Sequence, residues 1–187
     1  MEYRLLGPLE VLDESGHTVS LGGGRQQSVL VSLLLRADRT VALERLIEEL
    51  WDEPPPTAPR TVQVYVSRLR RQLREGAIAR RPGGYALVLD GDHLDLSAFE
   101  AAAAEGRAAL AAGNFDRAAD LLQSALELWR GPALAGVTSP ALRREAERLE
   151  ELRLQVLEDR LQADLECGPP SRGRAPAAGT RRRAPPP

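Results

Sequence analysis

The chain has 187 residues and a formal net charge of −2, from 25 cations, all of them arginine, and 27 acids. An apolar content of 43 % is enough for a core, which excludes a wholly disordered chain, and no apolar run reaches the roughly 18 residues of a membrane-spanning helix. The near-neutral sum hides a partition: residues 1–56 carry −5, 57–85 carry +6, 86–167 carry −8 and 168–187 carry +5, so the basic middle points to an anionic partner.

The first residues read as short strands. Tyr3-Arg4-Leu5-Leu6 and Leu9-Glu10-Val11-Leu12 are separated by Gly7-Pro8, and residues 17–21 alternate after a turn cluster at 13–16. Gly22-Gly23-Gly24 ends that run, and from Gln26 the apolar spacing becomes helical. A second helix is predicted over 43–51, closed by Pro54-Pro55-Pro56, because proline lacks the amide and clashes with the preceding turn. A third helix, with Thr57 as its N-cap, is predicted over 57–75. Residues 78–89 fold about Pro82-Gly83-Gly84 as a hairpin, and Asp90-Gly91-Asp92 reads as the exit from a first domain, 1–92. Residues 95–167 are rich in Ala and Leu and predict helices over 97–112, 115–129 and 140–166. The last 20 residues contain no apolar side chain larger than Ala or Pro, so disorder is expected over 168–187. Two readings of that tail remain open: out-of-frame translation of a GC-rich gene, or a basic segment that binds phosphates without sequence preference.

The third helix carries the chemistry. At about 100° per residue, Val62, Val66, Leu69 and Leu73 form a core stripe. The opposite face gathers Arg60, Val64, Ser67, Arg68, Arg71 and Arg74, with Thr61, Gln63, Tyr65 and Arg70 on its flanks. Guanidinium forks match phosphate oxygens and the O6/N7 edge of guanine, and an apolar Val64 among them suits a thymine methyl. Arg80 and Arg81 at the hairpin add a phosphate or minor-groove contact. A small sheet, three helices, the third one basic, and then a hairpin describe a winged helix-turn-helix.

Enzyme chemistry has no comparable pattern, and no cofactor is implied. Cys167 is the only cysteine, which excludes an internal disulfide and a cysteine-based zinc site. His17 and His93 lie far apart, and Gly22-Gly23-Gly24 lacks the lysine and spacing of a phosphate-cradling loop. The N-terminus has no signal-peptide layout, so the cytoplasm, with the nucleoid through DNA, is the expected location.

Several strings resemble the AfsR/SARP regulators of actinomycetes: Leu-Gly-Gly-Gly-Arg-Gln-Gln at 21–27, Leu-Ile-Glu-Glu-Leu-Trp-Asp-Glu-Pro-Pro-Pro at 46–56, Arg-Thr-Val-Gln-Val-Tyr-Val-Ser-Arg-Leu-Arg at 60–70 and Pro-Gly-Gly-Tyr at 82–85. The likeness continues through Asp95-Leu96-Ser97-Ala98-Phe99, Gly113-Asn114-Phe115 and Leu128-Trp129-Arg130-Gly131-Pro132 into a bacterial transcriptional activation domain. The resemblance implies an α+β fold, an OmpR-type winged helix with an N-terminal antiparallel sheet, then an all-α domain resembling tetratricopeptide repeats. It implies that Val64 and Arg68 reach base edges, with Arg60, Thr61, Ser67 and Arg71 nearer phosphates. It further implies a loop at Asp52, Glu53, Pro54 and Pro55 that faces RNA polymerase, and pairs or dimers on direct-repeat promoter sites. Gln27 departs from the family's frequent arginine. The alternative reading is a helical protein-interaction module, or an activation-defective competitor of intact paralogues. In that case a second leucine stripe on the last helix (Leu154, Leu157, Leu161, Leu165) lacks its partner.

Overall fold

The computed structural model describes residues 1–137 and 139–167. In chain order the elements are β1 (Glu2–Arg4), β2 (Glu10–Leu12), α1 (Gly24–Leu34), β3 (Val41–Ala42), α2 (Leu43–Leu50), α3 (Ala58–Gln72), β4 (Ile78–Arg81), β5 (Gly84–Leu87), β6 (His93–Leu94), α4 (Asp95–Ala111), α5 (Phe115–Glu127) and α6 (Pro140–Cys167). One sheet has the order β2-β1-β6 and the other β3-β5-β4. The three helices α1, α2 and α3 pack on one another, with α1 also against β5 and α6. That central position explains why Val29, Leu30, Val31, Leu33 and Leu34 of α1 are all buried, although they span more than one helix face.

The helix α2 ends at Leu50. Trp51 is extended, and its amide still bonds to Ile47 O (3.1 Å). The proline run then separates α2 from α3. Val62, Val66, Leu69 and Leu73 are buried as the periodicity predicts, each contributing about 1.5–3 kcal/mol of transfer free energy. The hairpin closes on a two-residue loop, with Arg81 facing Gly84. Proline at the second turn position and Gly83 at φ +76° are what a type II turn requires. Gly84 has a separate reason: a Cβ there would stand 2.0 Å from Val41 O, where β5 pairs with β3.

Beyond β6 the helices α4 and α5 form a hairpin, and Gly106 lets them meet. A Cβ at that position would sit 2.6 Å from Leu122 Cγ. On α6, Leu142, Leu149, Val156 and Ala163 recur every seventh residue and are fully buried. Leu154, Leu157, Leu161 and Leu165 lie on the other side and are exposed. The helix thus has one covered stripe and, as expected from the sequence, one open leucine stripe.

The two halves of the chain are joined closely. The Asp95 carboxylate accepts the Leu5 amide (2.8 and 2.9 Å) and the Leu6 amide (3.0 Å). Residues after α5 lie along residues 5–8: Arg130 N donates to Leu6 O (2.7 Å), Leu134 N to Leu5 O (3.0 Å) and Ala135 N to Gly7 O (3.1 Å). Arg130 also pairs with Glu10 (2.8 Å) and donates to Pro8 O (3.0 Å). On the far side of α1 and α2, the buried Glu49 carboxylate accepts the Ser32 hydroxyl, Arg36 (2.8 Å) and Arg45 (3.0 Å), while the Ser139 hydroxyl donates to Glu49 O.

The structure corrects several details. The N-terminal sheet is mixed, because β6 runs parallel to β1, and Asp90-Gly91-Asp92 is the turn that leads into β6. Residues 17–21 form only an isolated bridge, Leu12 to Thr18. The pair β3 was not foreseen. Thr57 makes no side-chain cap; its carbonyl instead accepts the amide (2.9 Å) and hydroxyl (3.0 Å) of Thr61. The third helix stops at Gln72, short of the predicted 75. The tail at 168–187, for which disorder was expected, lies outside the described residues.

Candidate nucleic-acid interface

The face of α3 opposite its core stripe is open to solvent. Arg60, Gln63, Val64, Ser67, Arg68 and Arg71 are all exposed, and Thr61 is half-buried. Val64 is the only large apolar side chain on this face and stands 41 % exposed, a position no internal packing explains. Arg60, Arg68 and Arg71 have no hydrogen-bond or ion-pair partner among the described residues. Arg80 and Arg81 of β4 are likewise exposed and unpaired. They line a groove with Gln63 of α3 and Glu44 of α2, so one residue of the helix and two arginines of the wing share a concave surface. Gln63, a flank position in the sequence reading, therefore belongs beside the predicted set. Its signal was available only once the wing's position was known.

Two arginines of the basic segment do other work. The Arg70 Nε donates to Ile78 O (2.9 Å), and its guanidinium lies 5.8 Å from the Tyr85 ring centroid, tying α3 to the wing. Arg74, placed on the basic face by a continued helix, lies past the helix end. It pairs with Asp92 (2.6 Å) and donates to Val88 O (2.7 Å) and Leu89 O (2.9 Å). Its donors are consumed inside the fold, where it braces the strand leaving the wing.

Asp52, Glu53, Pro54 and Pro55 are exposed as one short protrusion between α2 and α3. Trp51 beneath it carries the Arg25 guanidinium 5.5 Å from its ring centroid, a cation–π contact that braces the base of the loop. Gln27 donates to Gly22 O (2.9 Å), and buried Gln26 bridges Leu21 O and Gln72 (both 2.7 Å). The glycine run is thus fastened back onto α1 and the end of α3. His17 is exposed beside Asp13 (3.7 Å), and no group of His, Cys, Asp and Glu able to hold a metal occurs among the described residues. None of the described helices is long and apolar enough to cross a membrane.

Comparison with known proteins gives the same two parts. A family model described as the C-terminal part of transcriptional regulatory proteins matches residues 16–87, and a bacterial transcriptional activator domain matches 94–183. Regulatory protein AfsR of Streptomyces coelicolor is 41 % identical over 170 residues, covering 90 % of this chain and 17 % of that protein. Regulatory protein DnrI of Streptomyces peucetius is 37 % identical over 90 % of this chain and 66 % of its own length. The chain belongs to the AfsR/SARP family. A solved structure of EmbR from Mycobacterium tuberculosis, in complex with a low-affinity phosphopeptide, superposes with a TM-score of 0.83 at 33 % identity over 89 % of this chain and 46 % of that one. This AfsR/SARP chain therefore spans less than a fifth of the AfsR protein and about half of the EmbR chain.

Proposed function

We propose that this chain is a sequence-specific, DNA-binding transcriptional regulator that activates a cluster of secondary-metabolism genes. The observation that carries this is the exposed, unpaired arginine face of α3, whose flank residue Gln63 shares a groove with the wing arginines. A helix of 15 residues, about 22 Å long, fits the B-DNA major groove. Arg68 and Val64 take base edges, Gln63 an adenine edge or the adjoining backbone, and Arg60, Thr61, Ser67 and Arg71 the phosphates. Arg80 and Arg81 hold the flanking backbone. The protruding Asp52, Glu53, Pro54 and Pro55 face RNA polymerase. We take 1–92 as the DNA-binding domain and 95–167 as part of an activation domain whose α4–α5 hairpin resembles a tetratricopeptide unit. Two copies bind side by side on direct repeats, and the open leucine face of α6 supports such pairing. Work of this kind needs neither catalysis nor a cofactor.

A mobility-shift titration against salt tests the proposal on promoter fragments from the neighbouring genes. Affinity should fall steeply as salt rises, because bound arginines displace counterions from phosphate. Arg68→Ala should relax base preference at a cost of about 1–3 kcal/mol, whereas Arg71→Ala should weaken all sequences alike. A protein that shifts none of the fragments would remove the reading and leave the protein-interaction module.

A further inference from the structure

A cleft of about 330 Å³ opens where the two halves of the chain meet, and it shares no lining residue with the basic face of α3. Its walls come from the end of α1 and the turn after it, from β6 and the start of α4, and from Arg148 in the first third of α6. Leu94 and Leu96 give it an apolar floor, and both are buried. Arg36, Arg39 and Arg148 reach it, against one acid, Glu100. Arg36 is committed to Glu49 (2.8 Å). Arg148 uses only Nε, on Glu145 (3.0 Å), so both of its Nη groups remain unbonded. The Arg39 guanidinium has no partner among the described residues. Two guanidinium forks with free donors thus line one cleft from different halves of the chain, over a mostly polar surface with two nearly buried leucines beneath.

We propose that this cleft binds a compact organic anion, a small phosphate ester or polycarboxylate. Its head is taken by the forks of Arg39 and Arg148, which match planar or tetrahedral oxyanions in a bidentate fashion. Its carbon body rests on Leu94 and Leu96. Glu100 opposes additional negative charge, so the wall selects small anions over long polyanions. A ligand here touches residues on both sides of the junction, and its binding free energy adds to their docking. The site gives the protein an input that is separate from the DNA face.

Isothermal titration of the full chain with pyrophosphate and with citrate, without DNA and near physiological salt, tests the site. Saturable binding of at least one probe is expected, weakened about tenfold or more by Arg39→Gln and by Arg148→Gln, each of which removes a charged fork. Glu100→Gln should tighten it. Pyrophosphate alone would assign a phosphate ligand, and citrate alone a polycarboxylate. The proposal is overturned if neither probe saturates, or if both arginine variants, shown folded by circular dichroism, bind like the wild type. It is also overturned if Arg68→Gln abolishes binding, since the anion would then lie on α3. Because no DNA is present, these outcomes are independent of the proposed function.

Discussion

Removing the Asp95 carboxylate should loosen the junction between the two halves of the chain. The group is 4 % exposed and accepts two amides, from Leu5 and Leu6, which are themselves fully buried. Asp95→Ala leaves both donors without an acceptor, in a place water does not reach. At about 1–3 kcal/mol for each unsatisfied buried group, the loss is about 2–6 kcal/mol. Asp95→Asn keeps one acceptor oxygen but turns an NH₂ toward the second amide, so about half of that loss is expected. Urea denaturation followed by circular dichroism would read both as shifts of the midpoint. pH adds a second readout. Burial pushes the Asp95 carboxyl above its ordinary value of 3.8, against the Leu5, Leu6 and Leu96 amides and Arg130, which favour ionisation. The folded chain therefore keeps this proton when the unfolded chain has lost it, and the group's contribution to stability falls as pH rises from the ordinary carboxylate range through the folded value. The advantage of wild type over Asp95→Asn should be largest at the acid end of that window and narrow as pH rises. A loss below about 1 kcal/mol for Asp95→Ala would refute the reasoning, since it would mean the amides are rehydrated or re-paired.

Other variants separate structural from recognition roles. Gly84→Ala should destabilise the wing by about 1–3 kcal/mol, the usual cost of overpacking, because its Cβ meets a backbone carbonyl that cannot yield; thermal melts would show it. Arg74→Ala should cost about 1–3 kcal/mol through its lost Asp92 and carbonyl contacts, whereas Arg71→Ala should stay within about 0.5 kcal/mol. Equal effects in chemical denaturation would contradict the division drawn between these two arginines. Leu157→Gln with Leu161→Gln should leave the melting curve within about 0.5 kcal/mol of wild type while abolishing self-association in sedimentation velocity; a large loss of stability would mean that this face is packed after all.

Strong local signals made much of the fold legible. The 3–4 spacing on α3, the proline run after α2 and the Pro82-Gly83 turn each have one physical reading, and each appears. The failures are cases where a partner distant in sequence decides. Val41–Ala42 is too short to show alternation and becomes strand β3 only because Gly84 lets β5 approach it. His93–Leu94 follows a turn cluster and is recruited in parallel by β1, from the other end of the domain. Arg74 fits the basic face by angle alone, but the helix stops two residues earlier and Asp92 captures the side chain. At the interface, the arginines of α3 could be read from helical phase, whereas Gln63 needed the wing beside it.

The strand β6 runs directly into α4, because Leu94 ends one and Asp95 begins the other. No tether separates the helical half from the sheet that carries the N-terminus, so the helical half cannot swing to find a partner. If α3 is seated in a groove, the bearing of that half around the DNA axis is set as well. Promoter activity should then depend on rotational phase. Inserting half a helical turn, about 5 base pairs, between the binding site and the promoter should silence it, and a full turn of about 10 should restore it.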